Sequence, residues 1–155
     1  MPKDVMRRRA ADNEHYHADF HGALSAGIEY LDSRLGLQAV REYLRQFANA
    51  YYAPLKADIR RRGLPAIRDH YEKVYRREGG RIDVEMSPDE LVIRVRACPA
   101  VTHMRSRRYA IARAFSETTR TVNEALCEGA AFAAELDEYD DRTGQAVVRF
   151  RRVRP

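Results

Sequence analysis

The sequence predicts an α+β fold: an N-terminal three-helix segment packed with a four-stranded antiparallel sheet, in the order ααα-ββ-α-ββ. Three observations carry that prediction. Apolar residues recur at helical spacing as far as Gly79 and Gly80, and the period drops to two directly afterwards. One amphipathic helix then interrupts the strands, which leaves two hairpins. Each hairpin is apolar on one side only, so helices must cover that side of the sheet.

The first helix is predicted from about Ala11 to Ser33, with Phe20, Leu24, Ile28 and Leu31 on its core face and Gly36 as its stop. A second, roughly Leu37 to Arg62, repeats the spacing at Val40, Leu44, Phe47 and Tyr51. Pro54 should kink or break it, because its ring clashes with the carbonyl four residues back. Gly63 suits a left-handed stop, and Pro65 suits the first turn of a third helix carrying Ile67, Tyr71 and Val74.

Residues 82–86 and 91–95 alternate around the turn chemistry of Ser87, Pro88 and Asp89 and form the first hairpin. Pro99 can open a short helix. A longer one follows over residues 117–128, with Ser116 as its cap and Gly129 just beyond its end. Strands at 131–139 and 145–153 flank a short loop, residues 140–144, whose Gly144 stands where a left-handed residue is needed.

The chain's 155 residues fit one domain, expected over residues 13–153 with residues 1–12 as a flexible tail. The longest apolar runs are far shorter than a membrane span, and the first residues lack the apolar core of an export signal. A cytoplasmic protein with no membrane partner is the expectation, and its two cysteines are then reduced thiols. The net charge of +5 resides largely in arginine clusters at 7–9, 60–62, 105–108 and 149–154. Acids interleave with them and no nucleic-acid-reading motif accompanies them, so no nucleic-acid partner is expected; attraction of a small acidic ligand remains open.

Chemistry-bearing residues concentrate between Ala97 and Gly129. Cys98 ends a strand before Pro99, where the amides and dipole of a helix start favour a thiolate nucleophile; a small residue that merely fills the strand end is the alternative. His103 is the natural base, yet five residues of ideal helix set it about 140° away around the axis. The two can converge only if residues 99–107 form a turn.

Between residues 117 and 128, Val122 and Leu126 mark the core stripe, and Glu117, Thr121, Glu124 and Glu128 fall opposite, toward solvent. Ser116, Arg120, Asn123 and Cys127 form a row at the border. Such a row can line a pocket between helix and sheet, or satisfy nearby backbone groups. His17 and His21 lie near the first helix's apolar stripe. They are four residues apart and can share a metal, but that face supplies no third ligand, so no metal is assigned. Tyr51, Tyr52, Tyr71 and Tyr75 read as core aromatics whose hydroxyls can reach a partner.

The hairpin ending at Arg96-Ala97-Cys98-Pro99, the helix over 115–129 and the closing hairpin resemble the L-2-amino-thiazoline-4-carboxylic acid hydrolase family, as does the helical half beginning near Asn13. The resemblance covers about residues 13–153. It implies kinship in fold with vinyl reductase and haem-nitric-oxide-binding domains, and a pocket between helices and sheet. It also implies hydrolytic opening of an aminothiazoline ring to a carbamoyl-cysteine product. Cys98 or Cys127 would attack, His103 or an inward histidine would move the proton, and Arg120 would hold the substrate carboxylate, beside Ser116, Asn123, His17 and His21. Family members end with a cysteine-bearing strand, whereas this chain closes on residues 145–152 without one.

Two functions therefore stand. One is a hydrolase of a small sulfur- or nitrogen-containing acidic metabolite, with no cofactor required by the sequence. The other is a non-catalytic small-ligand or tetrapyrrole-binding module using the same pocket, with His17 or His21 as axial ligand. An open sheet edge or an apolar helix face also makes a homodimer an expectation.

Overall fold

Pro54 divides the second predicted helix, and four helices precede the sheet. The computed structural model, which describes residues 18–153, places α1 at Phe20–Leu35, α2 at Leu37–Tyr51, α3 at Ala53–Arg62 and α4 at Leu64–Glu78. Pro54 and Pro65 each fall in a first helical turn, where the missing N–H leaves no bond unmade. Gly36 alone joins α1 to α2, at φ 84°, a backbone conformation that favours glycine. The predicted tail over residues 1–12, like His17, lies outside the described residues.

The strands are β1 (Arg81–Met86), β2 (Glu90–Ala97), β3 (Phe132–Tyr139) and β4 (Ala146–Arg152), with α5 (Pro99–Ser106) and α6 (Glu117–Cys127) between the hairpins. They form one antiparallel sheet in the order β1-β2-β4-β3. Ser87 closes the first hairpin: its amide donates to the Glu90 carbonyl and its hydroxyl accepts from the Glu90 amide. Gly144, at φ 71°, brings the second hairpin's loop against the α5 start; a Cβ there would sit 2.7 Å from the Cys98 Cβ.

One sheet face carries Leu91, Ile93, Val148 and Phe150, which bury with Ile59, Ile67, Tyr71 and Leu126 from α3, α4 and α6. The other face carries paired charges, among them Asp83 with Arg96 and Asp137 with Arg149. Val92 and Val147 on that face are still buried, because they stand across from Arg149 and Arg94, whose aliphatic stems shield them. A bulge at Asp137 turns Tyr139 back to the inner face. A second cluster, built on Ile28, Val40, Leu44, Val101, Met104 and Phe115, packs α1, α2 and α5 together, and Val122 touches both clusters.

Several sequence expectations change. Phe20 is 51 % exposed because α1 turns Ser25 and Ile28 inward; the Ser25 hydroxyl donates to the Ala110 carbonyl and accepts from the Ala112 amide. Tyr51 is exposed as well, stacked on Phe47 outside the core. Glu117 and Thr121, expected in solvent, are buried, since α6 is covered by the sheet on one side and by α2 on the other. Burial alone would raise Glu117, but hydrogen bonds from Arg41 and Thr121 outweigh it and hold the carboxyl below its ordinary value. Ser116 has helical φ/ψ and makes no capping bond from its side chain.

Candidate functional site

Helical spacing on α4 and α6 builds a small, partly open pocket. Tyr71, Val74 and Tyr75, three and four residues apart, line it from α4, and Thr119, Val122, Asn123 and Leu126 line it from α6. Tyr52 and His70 also line this cavity, whose volume is about 170 Å³. The Asn123 side-chain amide donates to the Tyr71 hydroxyl at 2.8 Å and to the Thr119 carbonyl at 2.7 Å, while Tyr71 donates back to the Asn123 carbonyl oxygen at 3.1 Å. Aromatic rings make the walls: Tyr71 stacks on Tyr75 at 5.9 Å and meets Phe150 at 6.1 Å, and Tyr52 meets the His70 ring edge-on at 5.5 Å.

No formal charge lines this cavity at neutral pH. Burial pushes the Tyr52 hydroxyl up to about 12 and raises Tyr71 and Tyr75 well above their ordinary value. Burial, assisted by nearby Lys73, lowers His70 and keeps its ring neutral. Neither nitrogen of that ring has a hydrogen bond among the described residues. A neutral imidazole carries one donor and one acceptor, and both are therefore available to a guest.

A second concavity, of about 340 Å³, opens where α1 begins, α4 ends and α5 runs past them, lined by Glu78, Pro99, Thr102, His103 and Ser106. His103 in its wall, and His21 beside it, are already engaged. His103 Nε2 lies 3.0 Å from Asp19 Oδ1, which also accepts from the Tyr109 hydroxyl at 3.1 Å. These two hydrogen bonds lower the Asp19 carboxyl, that from His103 most. His21 Nε2 lies 3.5 Å from Glu78 Oε2.

The predicted site residues thus separate. Cys98 stands at the α5 start and accepts from the Ala100 and Val101 amides as expected, but burial outweighs those bonds and pushes its thiol up, away from a resting thiolate. No hydrogen bond or ion pair joins it to His103 among the described residues: residues 99–106 are helix, so His103 turns toward α1 instead. Cys127 is buried at the end of α6 and raised to about 12. Arg120 lies beside Glu117, its Nε 3.8 Å from the carboxylate, and Ser116 is half-buried without a capping role. Of the border row, Asn123 reaches a cavity.

His70, Tyr52 and Tyr71 complete that cavity and were not picked out as site residues by the sequence. The signal for Tyr71 and Tyr75 was their i, i+4 spacing, which core packing explains equally well. Among the described residues no three His, Cys, Asp or Glu side chains gather as a metal site, and no helix is long and apolar enough to cross a membrane.

No family model and no curated protein matches the chain. Among solved structures, it is similar to a trafficking protein particle complex subunit 3 from Naegleria fowleri, solved covalently bound to palmitic acid. The two share 15 % identity at a TM-score of 0.53, over 88 % of this chain and 93 % of the other. The likeness is one of fold.

Proposed function

We propose that this protein is a binding module for a small, neutral, single-ring molecule, held between α4 and α6 with His70 as its hydrogen-bond partner. The observation that carries the proposal is an aromatic cavity without charge, in whose wall stands an imidazole kept neutral by burial, with both ring nitrogens free of hydrogen bonds among the described residues. An apolar cavity of about 150 Å³ is enough to hold benzene, and tetrapyrroles or drug-sized ligands need several times that volume. The trafficking-complex subunit adds a precedent for an apolar guest on this framework, although palmitic acid is larger than the space here.

Phenol is the simplest probe, with one ring to fill the cavity and one hydroxyl for His70. Calorimetry should give a dissociation constant of about 0.1 mM, an efficiency well inside the ceiling for small ligands. Benzoate, which would have to bury a charge, should bind at least about 100-fold more weakly. His70→Phe should weaken phenol about tenfold, the worth of one buried hydrogen bond. Phenol that fails to bind at millimolar concentration, or benzoate that binds equally well, contradicts the proposal.

A second reading keeps the hydrolysis implied by the sequence resemblance and moves it to the cleft at Glu78 and His103. Two histidine–carboxylate pairs beside one cleft favour it, and a Cys98 thiol held protonated leaves water activation to the histidines. Turnover of aminothiazoline carboxylate that is lost in His103→Ala and kept in His70→Phe would support this reading. Absence of turnover in the unmodified protein would retire it.

A further inference from the structure

We infer that the outer face of the α1–α2 hairpin is the interface with a second copy of this chain, formed by antiparallel α1 helices about a two-fold axis near Ala26 and Gly27. The side chains that monomers usually bury are concentrated here. Phe20 and Tyr30 of α1 are 51 % and 63 % exposed and Tyr43 of α2 is 45 % exposed, while Leu35 and Leu37, 70 % and 38 % exposed, flank Gly36 at the tip of the hairpin. At about 200 Å² per large side chain, Phe20, Tyr30 and Tyr43 present roughly 300 Å² of apolar surface per chain. A contiguous patch of that size is enough for the apolar centre of an interface, with polar residues making up the remainder of the ~800 Å² per partner.

The face is complementary to itself. Phe20, Ala23, Gly27, Tyr30 and Arg34 follow one another three and four residues apart and form a stripe along α1. When two such stripes run antiparallel and Ala26 meets the second copy's Gly27, Tyr30 lies over the second copy's Ala23. The same register sets Asp19 against the second copy's Arg34. One arrangement thus matches large with small and acid with base, and by symmetry does both twice.

A neighbouring observation supports it. An open cleft of about 1080 Å³ runs beside the stripe, between α1 and residues 108–113, floored by Gly22, Ala23 and Ala26. In this register it lies under the second copy's Tyr30. Gly27 faces open space, since a Cβ added there meets nothing within 4 Å, and its small size allows two backbones to approach.

Sedimentation equilibrium tests the inference. The full chain at about 10 µM should sediment at twice 17.9 kDa. Gly27→Glu sets two like charges at the axis and should weaken association at least about 100-fold, while far-UV dichroism and melting confirm an intact fold. Glu135→Arg, on the opposite sheet face, should leave the dimer unchanged. Gly27→Cys should form an intermolecular disulfide on mild oxidation. A species of 17.9 kDa at every concentration, whether because another segment or another protein covers the face, overturns the inference. So does a dimer that survives Gly27→Glu, or a Gly27→Cys protein that does not cross-link.

Discussion

The α4–α6 cavity and the α1–α5 cleft draw on the same kinds of side chain, histidine and tyrosine, and use them in opposite ways. In the cleft, His21 and His103 each meet a carboxylate, and Tyr109 shares one of those carboxylates. In the cavity, Tyr71 is tied to a neutral amide and His70 packs on tyrosine rings without a hydrogen bond among the described residues, with burial suppressing charge throughout. The cleft contacts hold elements together near water, where such pairs contribute little. The cavity contacts are buried, so each carries more weight, and the free imidazole stands where a guest can use it.

Tyr71→Ala should produce the largest effect. It removes a wall of the cavity together with a buried ring packed on Tyr75 and Phe150, and should cost about 4 kcal/mol in urea unfolding. If the loss is below about 1 kcal/mol, the cavity wall is not part of the core. Tyr71→Phe isolates the hydroxyl: it leaves Asn123 its bond to the Thr119 carbonyl but not its return partner, at a cost of about 1–2 kcal/mol.

Thiol labelling extends the contrast to the cysteines. With iodoacetamide at pH 7.5, Cys127 should stay unmodified until the chain unfolds, and Cys98 should react more slowly than a free cysteine. Rapid modification of Cys98 would restore it as a nucleophile. The smallest effect belongs to Asp19→Asn, which should leave the urea midpoint unchanged and register only as faster amide exchange at the start of α1. Because the native carboxyl is lowered, its contribution is present above the ordinary value of 3.8 and is lost as pH falls through the lower native value. The same exchange should accelerate in the unmodified protein over that acidic window.

The order of helices and hairpins was legible because the switch from a period of 3.6 to one of 2 is a local property of the chain. Asn123 was legible as a border residue of α6 for the same reason. Its partner was not: Tyr71 lies 52 positions away, and nothing local distinguishes a tyrosine that meets an amide from one that only fills space. Glu117 was misplaced for a related reason, since its burial depends on Arg41, 76 positions away, and on α2 covering the face that α6 alone would leave open. The bulge at Asp137 changes which residues of β3 face inward, and its sequence carries no signal strong enough to show it.

The central claim is that the uncharged cavity, and not the charged cleft, receives the ligand. Nitrogen-15 spectra of the histidine side chains, recorded at pH 7 while phenol is added, test it most directly. The ring nitrogens of His70 should shift in a saturable way, in step with the Tyr71 ring, while His21 and His103 stay fixed. Saturable shifts at His21 and His103 with His70 unmoved would contradict the claim and place the ligand in the cleft.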